Sequence, residues 1–553
     1  PAPARALAPP EEREAGWSEE GLERVSLLPQ GTGKKRVVVL GSGWASVSFV
    51  KALQPELYEV VLVSPRNYFL YTPLLPGAAV GSVEERSIIE CVRRPLADKG
   101  FTYLEAACVS VDPGSRSILC RAADITAEAE KAGGQGPACP WQTFRLAYDY
   151  LVVGVGAVPN TFGIPGVEEH CLFFKEAPDA ARVRQSIIER FERAVIPGTP
   201  SQRVRELLTF LVVGAGPTGV ELAAEVYDMV KEDVARLYPP ELVQYVDIQI
   251  VDLMDTVLST YDRRLAEYAT EHFRRANITL VLNSAVKSVG DGVITIADKA
   301  SGVERCVPFG MCVWCAGVKM NPLCEKIMEG LPPGSQENVR SLTVDKRLRV
   351  KGSEGSIYAL GDCATIERPN SLQHAERLFS RLGGEHRIGE EELVAALNRG
   401  AKEFPHLEEL ANRAGDEFRK LERGGTISFG DFQQLLANVD RQLRSLPATA
   451  QVAKQEGEYV AGVFNRAGGD AAQLAADDVP KFVYGHKGSL AYIGRDSAVM
   501  DIPGVGLLQG IAAGLIWKGF ETYSQFSLRN KLLVAADWVR GKVFGRDISR
   551  IRF

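Results

Sequence analysis

Hydrophobic positions along the chain fall into short apolar runs that alternate with longer stretches of helical spacing. Arg36–Leu40, Glu59–Val63, Leu211–Val213 and Val246–Val251 are near-continuous apolar runs, as expected of strands buried on both faces in a parallel sheet. Tyr150–Gly156 is a further buried strand ending in glycine, and Ile357–Ala364 is a strand ending in Gly361-Asp362. Helical spacing follows through Val47, Val50 and Leu53, and again through Val220, Leu222, Ala223, Val226 and Val230. Residues 101–120 and 143–153 read as strands of one β-meander, with the polar stretch Arg121–Gln142 as a surface excursion. Ala181–Ala194 is an amphipathic helix, whereas Tyr68–Glu90, apolar and punctuated by proline, reads as loop more than element. Glu367–Leu446 is charged and helical with no strand signal, and 447–463 resumes a helix with Ala450, Ala453 and Gly457 small on one side. Residues 1–33, rich in Ala, Pro, Glu and Gly, read as a flexible arm with one short helix around Glu19–Leu28.

Two of these strand-to-helix junctions carry chemistry. In Leu211–Glu225 (LVVGAGPTGVELAAE), Gly214, Gly216 and Gly219 stand in GxGxxG spacing between a strand and a helix. The first glycine permits the tight turn, the second lets backbone approach a pyrophosphate, and the third lets helix and strand pack closely. Gly41, Gly43 and Ser46 repeat the arrangement upstream, so two dinucleotides are implied. After the second strand of such a unit an acid usually holds a ribose. Asp252 occupies that place in the downstream unit and favours NADH, because a 2′-phosphate would face like charge; a surface acid at a strand end is the plain alternative. Upstream the position holds Ser64, followed by Pro65-Arg66-Asn67. The fold class expected is α/β, with two Rossmann-like dinucleotide-binding domains, a helical insert and a C-terminal amphipathic module. The divisions are 1–33 (arm), 34–206, 346–366 and 447–480 (first dinucleotide domain), 207–345 (second), 367–446 (insert) and 481–553 (C-terminal module).

Length and charge narrow the function. With 553 residues, 45% of them hydrophobic, the chain is ample for two or three domains with real cores. A net charge of −6 without an aromatic-interleaved basic patch gives no reason to expect nucleic acid. Ten scattered cysteines are too sparse for a disulfide scaffold, and the closest pair, Cys312 and Cys315, lies in a strand-like run that would point the two thiols to opposite faces. No metal site is expected. No apolar run is long enough to span a bilayer. The chain opens at Pro1 without Met, so a processed or trimmed N-terminus is expected. From Ser527 onward, Leu528, Leu532, Leu533, Ala536, Val539 and Val543 form an apolar stripe beside Trp538 and Phe544. Arg529, Lys531, Arg540, Lys542, Arg546, Arg550 and Arg552 flank it. Such a helix lies on an anionic membrane surface, or packs on a partner subunit. In the insert, Ile388 and Ile427 take the mid-loop positions of an EF-hand pair. Oxygen ligands are missing at most positions, although Glu392 and Asp431 stand at position twelve, so Ca²⁺ binding is not expected and a docking surface is.

The stretches VVVLGSGWASVSFVKAL, VSPRNYFLYTPLLPGAAVGSVEERSIIE, YDYLVVGVGAVPNTFGIPGV, FKEAPDA, VVGAGPTGVELAAE, IYALGDCATI and AQVAKQEGEYVA together resemble the type II NADH:quinone oxidoreductases, the alternative, rotenone-insensitive NADH dehydrogenases of plants, algae and fungi. The resemblance covers most of 34–366 and 447–553. It implies non-covalent FAD held by Gly41, Gly43, Trp44, Ser64, Pro65, Arg66, Thr72, Pro73 and Asp362, with Lys175 near the flavin. It implies NADH held by Gly214, Gly216, Thr218, Gly219 and Asp252, and makes Glu221, otherwise a first-turn acid favoured by the helix dipole, a residue near the nicotinamide. Gln451 and Gln455 match the quinone-end AQxxxQ stretch, though their spacing alone equally suits a solvated polar stripe. The apolar loop Tyr71–Gly77, with Pro76 and Gly77, would offer a quinone its path. The partners implied are ubiquinone or plastoquinone, a membrane surface through the C-terminal helix, and a second copy in a homodimer. The mitochondrial inner membrane is the expected site, or the stromal face of the thylakoid. The alternatives are a sulfide:quinone oxidoreductase, which needs cysteines such as Cys171 and Cys363 at the flavin, and a membrane-docked flavoprotein scaffold.

Overall fold

The structure, a computed structural model, describes residues 26–27, 33–123, 143–367, 371–380, 387–401, 404, 407–422, 424–442, 446–476 and 478–549. An eight-stranded sheet runs in the order Ser26–Leu27, Thr143–Ala147, Ser117–Ala122, Thr102–Asp112, Glu59–Ser64, Arg36–Leu40, Tyr150–Val153, Ile357–Ala359. The last five of these are parallel neighbours, and every residue of Arg36–Leu40 is buried, which explains the unbroken apolar run. Thr102–Asp112 serves two sheets in one. Its first residues pair parallel with Val61–Ser64, and Ala106–Asp112 turn out to pair antiparallel with Ser117–Ala122 in the meander.

A second parallel sheet orders Leu172–Phe173, Met311–Trp314, Thr209–Val213, Asp247–Val251 and Thr279–Val281, flanked by an antiparallel three-stranded sheet of Ser284–Gly290, Val293–Asp298 and Glu304–Pro308. The helix Ala450–Ala467 returns to the first unit and lies along Trp44–Ala52. Contact is so close there that a Cβ on Gly457 would sit 2.3 Å from the Ala45 carbonyl oxygen, which accounts for the small residues on that face. Residues of the insert pack around their own apolar cluster, including Phe379, Ile388, Leu393, Leu397, Phe418, Ile427, Phe432 and Leu436, apart from the main core. Arg387–Ile388 and Ile427–Ser428 pair antiparallel with Ile388 opposite Ile427. Ser489–Gly494, Ser497–Ile502 and Gly506–Gly510 then form an antiparallel sheet, followed by helices Ile511–Tyr523 and Leu528–Phe544.

Four expectations change. Ser26–Leu27, placed in a helix by the sequence, is a strand parallel to Thr143–Ala147; the rest of Glu19–Leu28 lies outside the described residues. Tyr150–Val153 joins the parallel sheet beside Arg36–Leu40 rather than the meander, because its four buried residues need cover on both faces. Tyr68–Glu90 is mostly built structure: Tyr68–Leu70 pairs with Ile89–Cys91, and Leu75–Ala78 is a buried helical turn. The apolar stretch Gly504–Phe520 forms a strand and most of a second surface helix, so the C-terminal apolar face spans two helices, not one. Among the described residues, no helix is long and apolar enough to cross a membrane.

Candidate active site

The two glycine turns sit at the carboxyl ends of the central strands of the two parallel sheets, where the strand hands over to a helix. Gly41 and Gly214 hold φ of 93° and 111°, the left-handed region that glycine alone enters freely. A Cβ on Gly219 would lie 1.9 Å from the Gly214 carbonyl oxygen, so the third glycine is a packing requirement. Ser46, in the corresponding upstream place, turns its hydroxyl onto the Leu40 carbonyl at 3.0 Å. The helices Trp44–Ala52 and Pro217–Met229 begin at Gly43 and Gly216 without a side-chain cap. Elsewhere Asp262, Thr449 and Ser527 cap the helices they open. A Cβ on Gly216 would meet no protein atom within 4 Å, and one on Gly43 only the Gly154 oxygen at 4.0 Å. Two sets of helix N-terminal amides thus face open space, which fits two pyrophosphates.

In the downstream unit Asp252 is half-buried at its strand end. It accepts from the Ala215 amide at 2.5 Å and the Met254 amide at 2.7 Å, so its carboxylate braces the glycine turn at the mouth where a ribose would lie. Thr218 is exposed on the first turn beside Gly216. Upstream, the buried Ser64 hydroxyl reaches Ser42 of the turn at 3.1 Å. Arg66, following Pro65, pairs with Glu176 and lies over the Tyr68 ring. Trp44 donates from Nε1 to the Thr72 hydroxyl at 3.0 Å, which ties the first turn of its helix to the Thr72-Pro73 segment. Lys175 Nζ stands 3.8 Å from Asp362. Buried Asp179 sets that lysine's backbone by accepting from the Lys175 and Glu176 amides, the capping box of Ala177–Ala194. The structure therefore brings Lys175 to the Gly361-Asp362 turn, although nearly two hundred residues separate them.

Glu221 departs from its sequence reading. It lies beyond the first turn and is buried, and its carboxylate accepts from the Tyr492 amide at 3.1 Å; burial, more than the helix dipole, governs it and pushes its carboxyl well above the ordinary range. Glu225 and Asp228 continue the same buried helix face. Burial raises Glu225 to about 7, with Arg546 opposing, and it accepts from the Ser82 hydroxyl at 2.5 Å. Asp228 accepts from the Tyr492 hydroxyl at 2.7 Å. Sequence reasoning missed this acidic stripe, whose only signal was three acids on one helix face.

The expected quinone residues have other neighbours. Gln451 donates to the Gly488 carbonyl at 3.2 Å and accepts from Tyr484 and the Lys487 amide, while Gln455 pairs with both backbone groups of Gly485. These amides are neither a solvated stripe nor free; they hold the 484–488 segment over the helix. Pro76 and Gly77 are buried beside the downstream glycine helix, where a Cβ on Gly77 would lie 3.5 Å from Glu225 Oε1. Glu456, also missed, is buried next to Gln455 and accepts from the Gly361 amide at 2.6 Å; burial raises it to about 7. The two thiols a sulfide enzyme would need are apart. Cys171 Sγ meets Cys312 Sγ at 3.4 Å in the second unit, and Cys363 Sγ lies against the Val153 and Leu360 carbonyls.

In the insert, Glu392 accepts from the Gly389 amide and Asp431 from the Ser428 amide and hydroxyl, so both position-twelve acids serve the starts of their own helices. The first half of the first loop, 381–386, lies outside the described residues. Three of the basic residues expected to face lipid are ion-paired with acids instead: Arg540 pairs with Glu84, Lys542 with Asp496, and Arg546, the only one of the three that is largely buried, with Asp233 and Glu232. Leu528, Leu532, Val539, Val543 and Phe544 remain exposed, joined by Ile511, Leu515, Ile516, Phe520 and Tyr523.

A family model described as pyridine nucleotide-disulphide oxidoreductase matches residues 35–377, and one for the NDH2 C-terminal domain matches 486–547. The mitochondrial external alternative NAD(P)H-ubiquinone oxidoreductase B1 of Solanum tuberosum is 38% identical over 540 residues, which cover 94% of this chain and 91% of that protein. The mitochondrial external alternative NADH-ubiquinone oxidoreductase of Yarrowia lipolytica is 35% identical over 534 residues, covering 95% and 82%. The structure of NDH2 from Plasmodium falciparum in complex with NADH matches at 29% identity with a TM-score of 0.77, over 94% of this chain and 100% of that one. A sulfide:quinone oxidoreductase from Aquifex aeolicus, at 15% identity and a TM-score of 0.58, shares the fold.

Proposed function

The chain belongs to the type II NADH dehydrogenase family, and from that premise we propose that it is a non-proton-pumping NADH:quinone oxidoreductase working through FAD. The observation that carries the assignment is the pair of uncapped helix N-termini at Gly43 and Gly216, each at the end of a central parallel strand. FAD belongs in the upstream turn, among Gly41, Gly43, Trp44, Ser64, Pro65, Arg66, Thr72, Pro73 and Asp362. NADH belongs in the downstream turn, among Gly214, Gly216, Thr218, Gly219 and Asp252. Bound there, the flavin supplies the hydride acceptor and the two-electron donor that no side chain can be. The residues position and desolvate. Glu221, beside the downstream turn, keeps the nicotinamide side dry, and Lys175 with Asp362 closes the flavin end.

Quinone enters between the Tyr71–Gly77 segment and the C-terminal helices, with Gln451 and Gln455 shaping the wall through the 484–488 segment. The exposed apolar faces of Ile511–Tyr523 and Leu528–Phe544 rest on the bilayer, with Arg529 and Lys531 at its headgroups. The mitochondrial naming of the relatives supports a peripheral place on the inner membrane, and the family resemblance supports a homodimer, which light scattering on the purified protein measures. The insert, with its own core and paired Ile388 and Ile427, is a degenerate EF-hand pair that serves as a docking surface.

Anaerobic stopped-flow absorbance tests the reading: NADH bleaches the bound flavin, NADPH does so more slowly, and a short-chain quinone restores the colour. A flavin that stays oxidised with NADH sinks the dehydrogenase assignment and leaves a scaffold; one that NADH bleaches but quinone cannot restore sinks the quinone half.

A further inference from the structure

Helix Ile511–Tyr523 presents Ile511, Leu515, Ile516, Phe520 and Tyr523 outward, while Glu521 lies on its inward face at 5% exposure. Across from it Tyr71, 3% exposed, donates its hydroxyl to Glu521 Oε2 at 2.8 Å. Tyr71 stands between Leu70 and Thr72 on the flavin-side segment, and its ring lies 5.2 Å from that of Trp44, the residue that opens the upstream glycine helix. One turn beyond Glu521, Gln525 donates to the Glu521 carbonyl and leaves its own Oε1 buried without a partner. The titratable groups facing Glu521 are Tyr71 from the flavin-side segment, Glu221 from the downstream glycine helix and Tyr261 from the loop before Arg263–Arg275. Lys518, one turn back on the same helix, is tied to Asp496. Among the described residues no cation pairs with this carboxyl; a buried acid joined only to a phenol, one residue from the exposed Phe520, costs stability and is a candidate for handling a proton.

Quinone reduction needs one. The reaction NADH + H⁺ + quinone → NAD⁺ + quinol takes one proton from water for each electron pair, and that proton must reach an apolar mouth. We propose that Tyr71 and Glu521 are the proton-delivery pair for quinone reduction. This rests on the quinone-reductase reading above. As the electron pair from NADH reaches the quinone, the Tyr71 O–H bond breaks and an O–H bond forms on a quinone carbonyl oxygen. The Glu521 carboxyl then returns a proton to the Tyr71 oxygen, and the resulting carboxylate is reprotonated from water. The electrons stay with the quinol throughout. Tyr71 is the donor, and Glu521 acts through it. Burial holds the Glu521 carboxyl up to about 7, with the Tyr71 hydrogen bond opposing, so the carboxyl carries a proton over much of the neutral range.

The test uses the full-length, flavin-loaded protein with Glu521→Gln and Tyr71→Phe. Ferricyanide takes electrons without protons and serves as the control acceptor. Both variants are expected to keep NADH:ferricyanide turnover and to lose about 100-fold in NADH:quinone turnover. The wild-type quinone step should slow as pH rises through neutrality and show a solvent deuterium effect, and Glu521→Gln should lose both. Infrared titration of the oxidised protein gives a readout free of turnover: the wild-type-minus-variant difference should show one protonated-carboxyl component that titrates near neutral pH and is lost in Glu521→Gln, while Glu225 and Glu456 contribute equally to both proteins and cancel. Variants with wild-type quinone rates and pH profile overturn the proposal, as does a Glu521→Gln titration with no carboxyl component lost. A wild type that reduces ferricyanide but no quinone overturns the quinone-reductase reading itself, and this inference with it.

Discussion

Asp252 and Glu456 show how a single carboxylate acquires its task from its neighbours. Asp252 is a strand-end acid whose two oxygens already hold the amides of Ala215 and Met254, so it is rigid before any ligand arrives. Asp252→Asn should raise KM for NADH about tenfold or more with a smaller effect on kcat, the mark of lost ground-state binding, and should narrow the gap between NADH and NADPH; steady-state kinetics with both nucleotides measures this. Glu456 is governed by burial, which raises its carboxyl to about 7 against the Gly361 amide. A raised folded-state value means the protonated form is favoured in the fold. Its stabilisation is therefore full at pH below about 4.5 and is lost as pH rises through about 7. Glu456→Gln keeps an acceptor for Gly361 and removes that loss. Thermal melts should show the variant gaining on wild type between pH 5 and pH 8, by on the order of 1–3 kcal/mol at the upper end. Glu225 and Glu521 share the direction, so the slope flattens only in part.

At the scale of elements, the strand–turn–helix units carry the nucleotide chemistry and were the part most open to sequence reading. Their requirement is local: a buried strand, a glycine with φ of 111°, and a third residue small enough for helix and strand to touch. Gly219→Ala puts a Cβ against backbone, 1.9 Å from Gly214 oxygen, and neither side can swing away. The variant should retain its flavin, lose NADH bleaching, and fall by about 1–3 kcal/mol in urea unfolding. An unchanged bleaching rate would mean that the downstream turn does not hold the nucleotide. Other elements deceived the sequence reading because their partners lie far away. Ser26–Leu27 has helical surroundings in sequence and a strand's partner in space. Tyr68–Glu90 has a loop's prolines, yet its ends pair as a hairpin and its middle packs on the downstream helix.

For the whole molecule, the C-terminal module is latched to the downstream glycine helix and its continuation through Tyr492 and Arg546, and it turns two helices' apolar sides outward. The sequence reading assigned Arg540, Lys542 and Arg546 to lipid. They pair with Glu84, Asp496, Glu232 and Asp233 instead; of these acids Asp233 is buried and needs its counter-charge from Arg546, while the others are partly exposed ion pairs that draw the basic side chains along the protein surface. Membrane attachment then rests chiefly on the apolar face. Replacing Phe520, Leu532 and Val539 together by Glu should abolish flotation with anionic vesicles and reduce turnover with a long-chain quinone in liposomes, while NADH:ferricyanide turnover stays within about twofold. Retained flotation would place the membrane contact elsewhere.

What the sequence by itself determined were the features written within a few residues of one another: the two glycine turns, the buried central strands, Asp252 at its strand end, and the apolar spacing of the last helix. Steric limits at glycine, burial on both faces of a parallel strand and helical periodicity act over short chain distances, so their signals survive in the linear order. Only the tertiary structure decided what faces what. It closed Gln451 and Gln455 onto 484–488, drew Arg546 into the acids of the downstream helix, set Glu456 under Gly361, and joined Tyr71 to Glu521 across 450 residues of chain. A carboxyl's charge state, and hence its use, depends on the dielectric and the partners around it, and those exist only once the distant segments have packed.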